Sequence, residues 1–191
     1  MRKVISVLVI CISFAAFCTA TNAQQLPKSG SISFHTGWKY VADAMSPADK
    51  HVLGRGNSTG VTFNDKGSGP LHLGPANCFE AFSGVDGRGK GKGFCAFGDP
   101  DGDRILTDFT GNFGPDGASG TNEIVGGTGK YTGIQGSGPW KCKMSGANGT
   151  NEIVGGTGKY TGIQGSGPWK CKMSGGNGEL QCAQRLDYRL P

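Results

Sequence analysis

Residues 120–146 read "GTNEIVGGTGKYTGIQGSGPWKCKMSG", and residues 149–175 repeat them without a single change. Within the unit, "NEIVGG" and "PWKCKM" carry the β-branched and aromatic residues of strands, and "TGKYTGIQ" between them carries turn residues. Each copy therefore predicts one pair of antiparallel strands. Two copies are fewer than the roughly three repeats a solenoid needs, and no other part of the chain resembles the unit. We read residues 120–148 and 149–177 as tandem copies of one hairpin. Adding two strands preserves the direction of everything downstream, so a barrel can either expand or keep its closure and leave one copy outside. Because a larger barrel must refit its strands, the first copy is expected to protrude or to pair loosely, as an extra β-hairpin.

The glycines around Lys130 also invite a phosphate-binding reading, which the spacing excludes. A Walker loop needs Gly, four intervening residues, Gly-Lys, and then Ser or Thr. Ile124 stands where the first Gly belongs and Tyr131 where the hydroxyl should follow, and the second copy fails in the same way at Ile153 and Tyr160. The dinucleotide fingerprint fails at Thr132, and no helix-forming run comes next.

Gly supplies 36 of the 191 residues, yet the glycines lie between Phe, Val, Ile, Trp and Tyr rather than in polar tracts, so the chain is expected to fold. "SISFHTGWKYV", "HVLGRGNSTGVTF", "CFEAFSG", "GFCAF" and "RILTDFTGNF" read as strands, separated by "NDKGSGP", "VDGRGKG" and "DPDGD" as turns. Only "ADAMSPADKHV" has room for a helical turn. The class is all-β, and a chain of this length buries one face of its strands by stacking two sheets or by curling one sheet closed. Closure removes exposed edges, and glycines within strands suit the bends of a barrel.

The opening "MRKVISVLVICISFAAFCTATNA" has basic residues, a short apolar run and small residues before a cut near Ala23, which predicts a signal peptide over residues 1–23. The apolar run is shorter than the roughly 20 residues of a membrane span, and no later run approaches that length. Residues 24–191 then form a single β-barrel domain, periplasmic or secreted. Removing Arg2 and Lys3 takes 19 basic residues to 17 against 14 acidic ones, too even a balance to favour nucleic acid. The basic run "GRGKGKG" lacks aromatics and reads as a solvated hairpin end.

Beyond the signal lie Cys78, Cys95, Cys142, Cys171 and Cys182. In an oxidising compartment cysteines pair, and removing one copy leaves four, which allow three connectivities. A turn around Asp86 and Gly87 sets Cys78 opposite Cys95, and a turn at Gly176, Asn177 and Gly178 sets Cys171 opposite Cys182. Those two disulfides are expected, with Cys142 as the free thiol and a point of self-association, alongside the duplicated hairpin. Zinc would want closely spaced Cys or His pairs, which are absent, so neither metal nor cofactor is expected.

"EIVGGTGKYTGIQGSG" resembles the hairpin signature of the allene oxide cyclase and dirigent-like barrel superfamily. There a strand ends in a Gly-Gly-Thr-Gly turn, matched by Gly126, Gly127, Thr128 and Gly129. An inward-packing aromatic follows, matched by Tyr131, with Gly133 and Gly136 beyond. The fuller pattern, with "FCAFGDPDGDRI" and "RLDYRL", also resembles a group of small exported bacterial proteins of unassigned function. The likeness implies an antiparallel barrel of about eight strands. The plant enzymes' catalytic residues do not map onto this chain, and none is carried over.

Chemical candidates are few. Asp99, Asp101 and Asp103 alternate as in calcium loops, but Gly102 falls at the fourth position rather than the sixth and Thr110 replaces Glu at the twelfth, so a solvent-facing turn is the simpler reading. His35, His51 and His72 form no ligand pattern, and no nucleophile motif is present. His35, Trp38 and Glu80 are the candidate pocket-lining residues. The first function expected is binding of a small apolar or amphipathic ligand inside the barrel, with no nucleic-acid partner. A cyclase or isomerase of the same superfamily is the alternative, and a structural or surface protein with a filled barrel the third.

Overall fold

The computed structural model describes residues 28–143, 146–155, 163–173 and 177–189, so the proposed signal peptide lies outside the described residues. Ten strands follow one another: β1 (Ser29–Met45), β2 (His51–Asn64), β3 (Gly74–Val85), β4 (Arg88–Gly98), β5 (Arg104–Gly114), β6 (Gly117–Gly127), β7 (Gln135–Lys143), β8 (Gly146–Gly155), β9 (Gln164–Met173) and β10 (Glu179–Arg189). A 3-10 turn, Gly129–Tyr131, sits between β6 and β7. Each strand pairs antiparallel with its chain neighbours, and β1 pairs with both β2 and β10, so the sheet closes on itself. The five segments read outside the repeat as strands lie in β1 to β5. "ADAMSPADKHV" holds no helix: β1 runs through Met45 and β2 begins at His51, with a tight turn between them that places Lys50 at φ 58°.

Both copies of the repeat enter the wall, which corrects the expectation of about eight strands with a protruding hairpin. The first copy supplies β6 and β7, the second β8 and β9, and every adjacent pair among them is hydrogen-bonded. Register explains why expansion is tolerated. Trp140 pairs with Gly120 on one side and Gly149 on the other, and Gly149 pairs in turn with Trp169. Gly149 is the copy of Gly120 and Trp169 the copy of Trp140. The inserted strands therefore hand on the register they receive.

The stagger of the barrel is unchanged by the second copy. Following partners from Phe34 through Gln184, Trp169, Gly149, Trp140 and Gly120, then on through β5 to β2, leads back to β1 at Ala44, a shift of 44 − 34 = 10 residues. The two steps between Trp169 and Trp140 add nothing to that shift. Strand number rises while stagger stays, so tilt falls and the bore widens. An excluded hairpin would instead have left unpaired backbone at its edges.

Side chains alternate between the two faces of the wall, with Phe34, Thr36, Trp38 and Tyr40 of β1 all inward. One end of the interior is packed by Phe34, Leu71, Tyr131, Ile134, Ile163 and Tyr188. Leu71 reaches this plug from the loop between β2 and β3 in a left-handed conformation, φ 59°. Toward the other end the interior is built from aromatic rings laid on glycines. A β-carbon on Gly54 would collide with the Phe82 ring, on Gly56 with Tyr40, on Gly93 with Phe109 and on Gly111 with Trp140. The glycine richness thus serves packing.

That packing also revises the reading of "GRGKGKG". The segment starts at the hairpin turn with Gly87 and continues up β4: Lys90 and Lys92 face solvent as expected, while Gly89, Gly91 and Gly93 face the interior, Gly89 and Gly93 beneath the rings of Phe113 and Phe109. Cys78 with Cys95 and Cys171 with Cys182 sit at disulfide distance, each pair directly opposite across its hairpin.

Candidate functional site

Six inward side chains on four strands meet in the aromatic half of the barrel: Tyr40 from β1, Glu80 and Phe82 from β3, Phe109 and Phe113 from β5, and Trp140 from β7. With Gly91, Gly111, Asn112 and Ala118 they line a cavity of about 300 Å³. The space exists because β4 presents glycines where its neighbours present rings. Phe82 and Phe113 meet edge to face, with centroids 6.3 Å apart at 87°.

Glu80 is the carboxylate of this lining. It accepts a hydrogen bond from the Tyr40 hydroxyl, and among the described residues no cationic side chain pairs with it. Burial, reinforced by that bond and by the carboxylate's charge, pushes the Tyr40 phenol above its ordinary value of 10.0, so the hydroxyl stays protonated and stays a donor. The indole Nε1 atoms of Trp140 and Trp169 are buried without a hydrogen-bond partner among the described residues. A cavity of this kind can surround an apolar body with rings and present one carboxylate to a polar group.

The three candidate residues separate. Glu80 lines the cavity. Trp38 also faces inward, but its ring packs edge to face on Phe97 at 5.9 Å and takes no part in this lining. His35 is a correction: its odd position on β1 turns it outward, where its ring stacks on Phe63 at 5.2 Å and its Nδ1 lies 2.8 Å from Asp65 Oδ1. The rings that form the cavity escaped sequence reading, although lysines alternating with glycines on β4 signal an inner face stripped of side chains.

A second constellation lies at the plugged end, where the turn after β4 meets the turn after β6. The Lys130 ammonium sits 2.8 Å from Asp99 Oδ2 and 2.7 Å from Asp101 Oδ2. Asp103 Oδ2 accepts the Lys130 backbone N–H at 2.9 Å. Asp99 also accepts the Tyr131 hydroxyl at 2.6 Å and the backbone N–H of Leu71, holding the left-handed plug residue in place. Asp99 is 4% exposed, so the solvent-facing reading fails at Asp99, while Asp101 and Gly102 at the tip of the turn do face solvent. The Lys in the glycine-rich turn and the alternating aspartates complete each other: the turn that resembled a phosphate loop brings the cation that the calcium-like turn holds. Among the described residues no group of three or more His, Cys, Asp or Glu is arranged to hold a metal ion.

Burial lowers the pKa of Lys130, but its bonds to Asp101 and Asp99 outweigh this and leave it raised above 10.5. The same hydrogen bond from Lys130 lowers Asp101 below 3.8.

These contacts locate the seams of the repeat. The first copy is tied to the rest of the barrel through Lys130 and Asp99, the second through Cys171 and Cys182. The strands between the seams, β7 and β8, are the added pair. Cys142 pairs with Ala118 on one side and Ala147 on the other, so neither adjacent strand sets a cysteine opposite it. Tyr160, in the second glycine-rich turn, lies outside the described residues. No helix among the described residues is long and apolar enough to cross a membrane. No family model matches the chain, and neither a curated protein nor a solved structure matches it.

Proposed function

We propose that this is an exported barrel protein that binds a small amphipathic molecule in the aromatic half of its interior. The cavity of about 300 Å³, lined by rings around a single carboxylate, carries the reading. Export is supported by the signal-like opening residues and by two cysteine pairs at disulfide distance. Membership of the allene oxide cyclase and dirigent-like superfamily is part of the proposal. Its support is the closed antiparallel sheet and the burial of Tyr131 beside its Gly-Gly-Thr-Gly turn. A cyclase would want a cavity group tuned toward neutral pH. Tyr40, whose phenol is pushed away from neutrality, is not such a group.

Native mass spectrometry of the exported chain tests the proposal, together with titration of the protein with an apolar fluorescent dye. A retained small molecule or saturable dye binding is expected, and Ala118→Trp, which fills the cavity from β6, should abolish it. Absence of both, or binding that Ala118→Trp leaves intact, would refute the interior as the site.

A further inference from the structure

The lining of the aromatic cavity narrows the chemistry of its guest, and the inference rests on the ligand-binding reading above. Among the described residues Glu80 is the one carboxylate of the lining, and no Lys, Arg or His lines the cavity with it. Its charge is met by one neutral donor, the Tyr40 hydroxyl. Around it stand Phe82, Phe109, Phe113 and Trp140, whose ring faces carry negative potential. Lys90 and Lys92, on the adjacent strand, point to the opposite side of the wall.

We propose that the cavity is selective for an organic cation, an ammonium or quaternary ammonium group attached to an apolar body, with the charge held between Glu80 and the rings. A carboxylate and several ring faces converging on one space attract a cation twice over, by ion pairing and by cation–π contact. A neutral guest of the same shape gains only burial. An anion would sit against Glu80 with no positive side chain among the described lining residues to offset it. The geometry is pre-set, because Tyr40 is backed by Gly56, Phe109 by Gly93 and Trp140 by Gly111, so the rings do not collapse into the space when it is unfilled.

The test titrates the oxidised full chain with three probes: benzyltrimethylammonium, its neutral carbon isostere neopentylbenzene, and benzoate, each followed by calorimetry and tryptophan fluorescence. The cation should bind roughly tenfold or more tightly than the isostere, and benzoate should bind weakest. Glu80→Gln, which keeps the shape and an acceptor for Tyr40, should erase most of that preference while leaving the isostere's affinity unchanged. Phe109→Leu should weaken the cation more than the isostere. Equal affinity for cation and isostere, or a preference that survives Glu80→Gln, overturns the cation inference and leaves the ligand-binding reading standing. If wild-type protein binds none of the three probes, both fall.

Discussion

The ammonium of Lys130 lies 2.8 Å from the carboxylate of Asp99, joining two turns that are far apart in sequence at the plugged end of the barrel. The side chains are 16% and 2% exposed, so this pair is removed from solvent on the aspartate side and nearly so on the lysine side. Replacing Lys130 by Met would leave the Asp99 charge buried against the Tyr131 hydroxyl and the Leu71 N–H alone. The variant should lose about 3 kcal/mol of stability, as breaking one half of a buried pair does. Urea denaturation reads this directly, and a loss under about 1 kcal/mol would place the pair with ordinary surface bridges.

The same cluster sets a pH dependence. A lysine raised above 10.5 on folding contributes stability that is whole below that pH and is lost as pH rises through the higher folded value. Tyr40, raised above 10.0, acts in the same alkaline direction. Asp101, lowered below 3.8, contributes above that pH and loses its share as pH falls through the lower folded value. Its side chain is 57% exposed, so solvent screens it and the acid limb is shallow. Denaturation midpoints measured across pH should fall in alkali, and Lys130→Met combined with Tyr40→Phe should flatten that limb. An alkaline limb equally steep in the double variant would show that other groups control it.

Glycine packing makes a sharper stability contrast. Gly54→Ala and Gly111→Ala each drive a methyl into a ring, that of Phe82 and that of Trp140, and should cost about 1–3 kcal/mol. At Gly37 an added β-carbon meets nothing within 4 Å, so Gly37→Ala should be neutral or slightly stabilising. Thermal melts of the three variants decide the matter. Equal effects at all three sites would mean that backbone entropy, and not contact with the rings, governs these positions.

Deleting residues 121–149 removes one copy and yields the same chain as deleting residues 120–148, because residues 120 and 149 are both Gly. The shortened protein should fold with two strands fewer, keep both cysteine pairs and the turn-to-turn ion pair, and lose the cavity as the bore narrows. Near-ultraviolet circular dichroism, non-reducing peptide mapping and the dye titration test the three claims. An unfolded deletion product would show that the remaining strands are fitted to the wider barrel.

With Cys78 joined to Cys95 and Cys171 to Cys182, one thiol should remain beyond the proposed signal peptide. Alkylation of the denatured, unreduced protein should label Cys142 once, and Cys142→Ala should leave the non-reducing peptide map otherwise unchanged. A map that joins Cys142 to any of the other four would overturn the assignment.

How much of this was legible in the sequence depends on how local each feature is. The cysteine pairs could be read because each hairpin turn sets its own register, and a disulfide across it needs only that count. The inward face of β1 is carried by parity as well, since Ile32, Phe34, Trp38 and Tyr40 share one parity, and His35, taken with Trp38 as pocket-lining, has the other. The union of Lys130 with Asp99 was not legible, because it depends on the β5–β6 register, which sets Ile105 opposite Gly127 and so brings the turn before β5 against the turn after β6. Nor was the fate of the repeat. That depends on the copies presenting the same register on both sides, a relation that appears only once strands are paired. The aromatic cavity was hidden for a different reason: its rings are scattered along the chain, and the glycines that make room for them resemble those of turns.

Perimeter and stagger are uncoupled in this wall. A unit that returns the register it receives can be stacked again between the two seams, each copy adding two strands and leaving the ion-paired turns on one flank and the disulfide on the other untouched. Caliber is then written as a copy number. Lineages carrying one, two or more units would differ in the girth of what they enclose without altering a residue outside the repeat, and selection for a larger or smaller guest could act by recombination between copies before any point substitution in the lining.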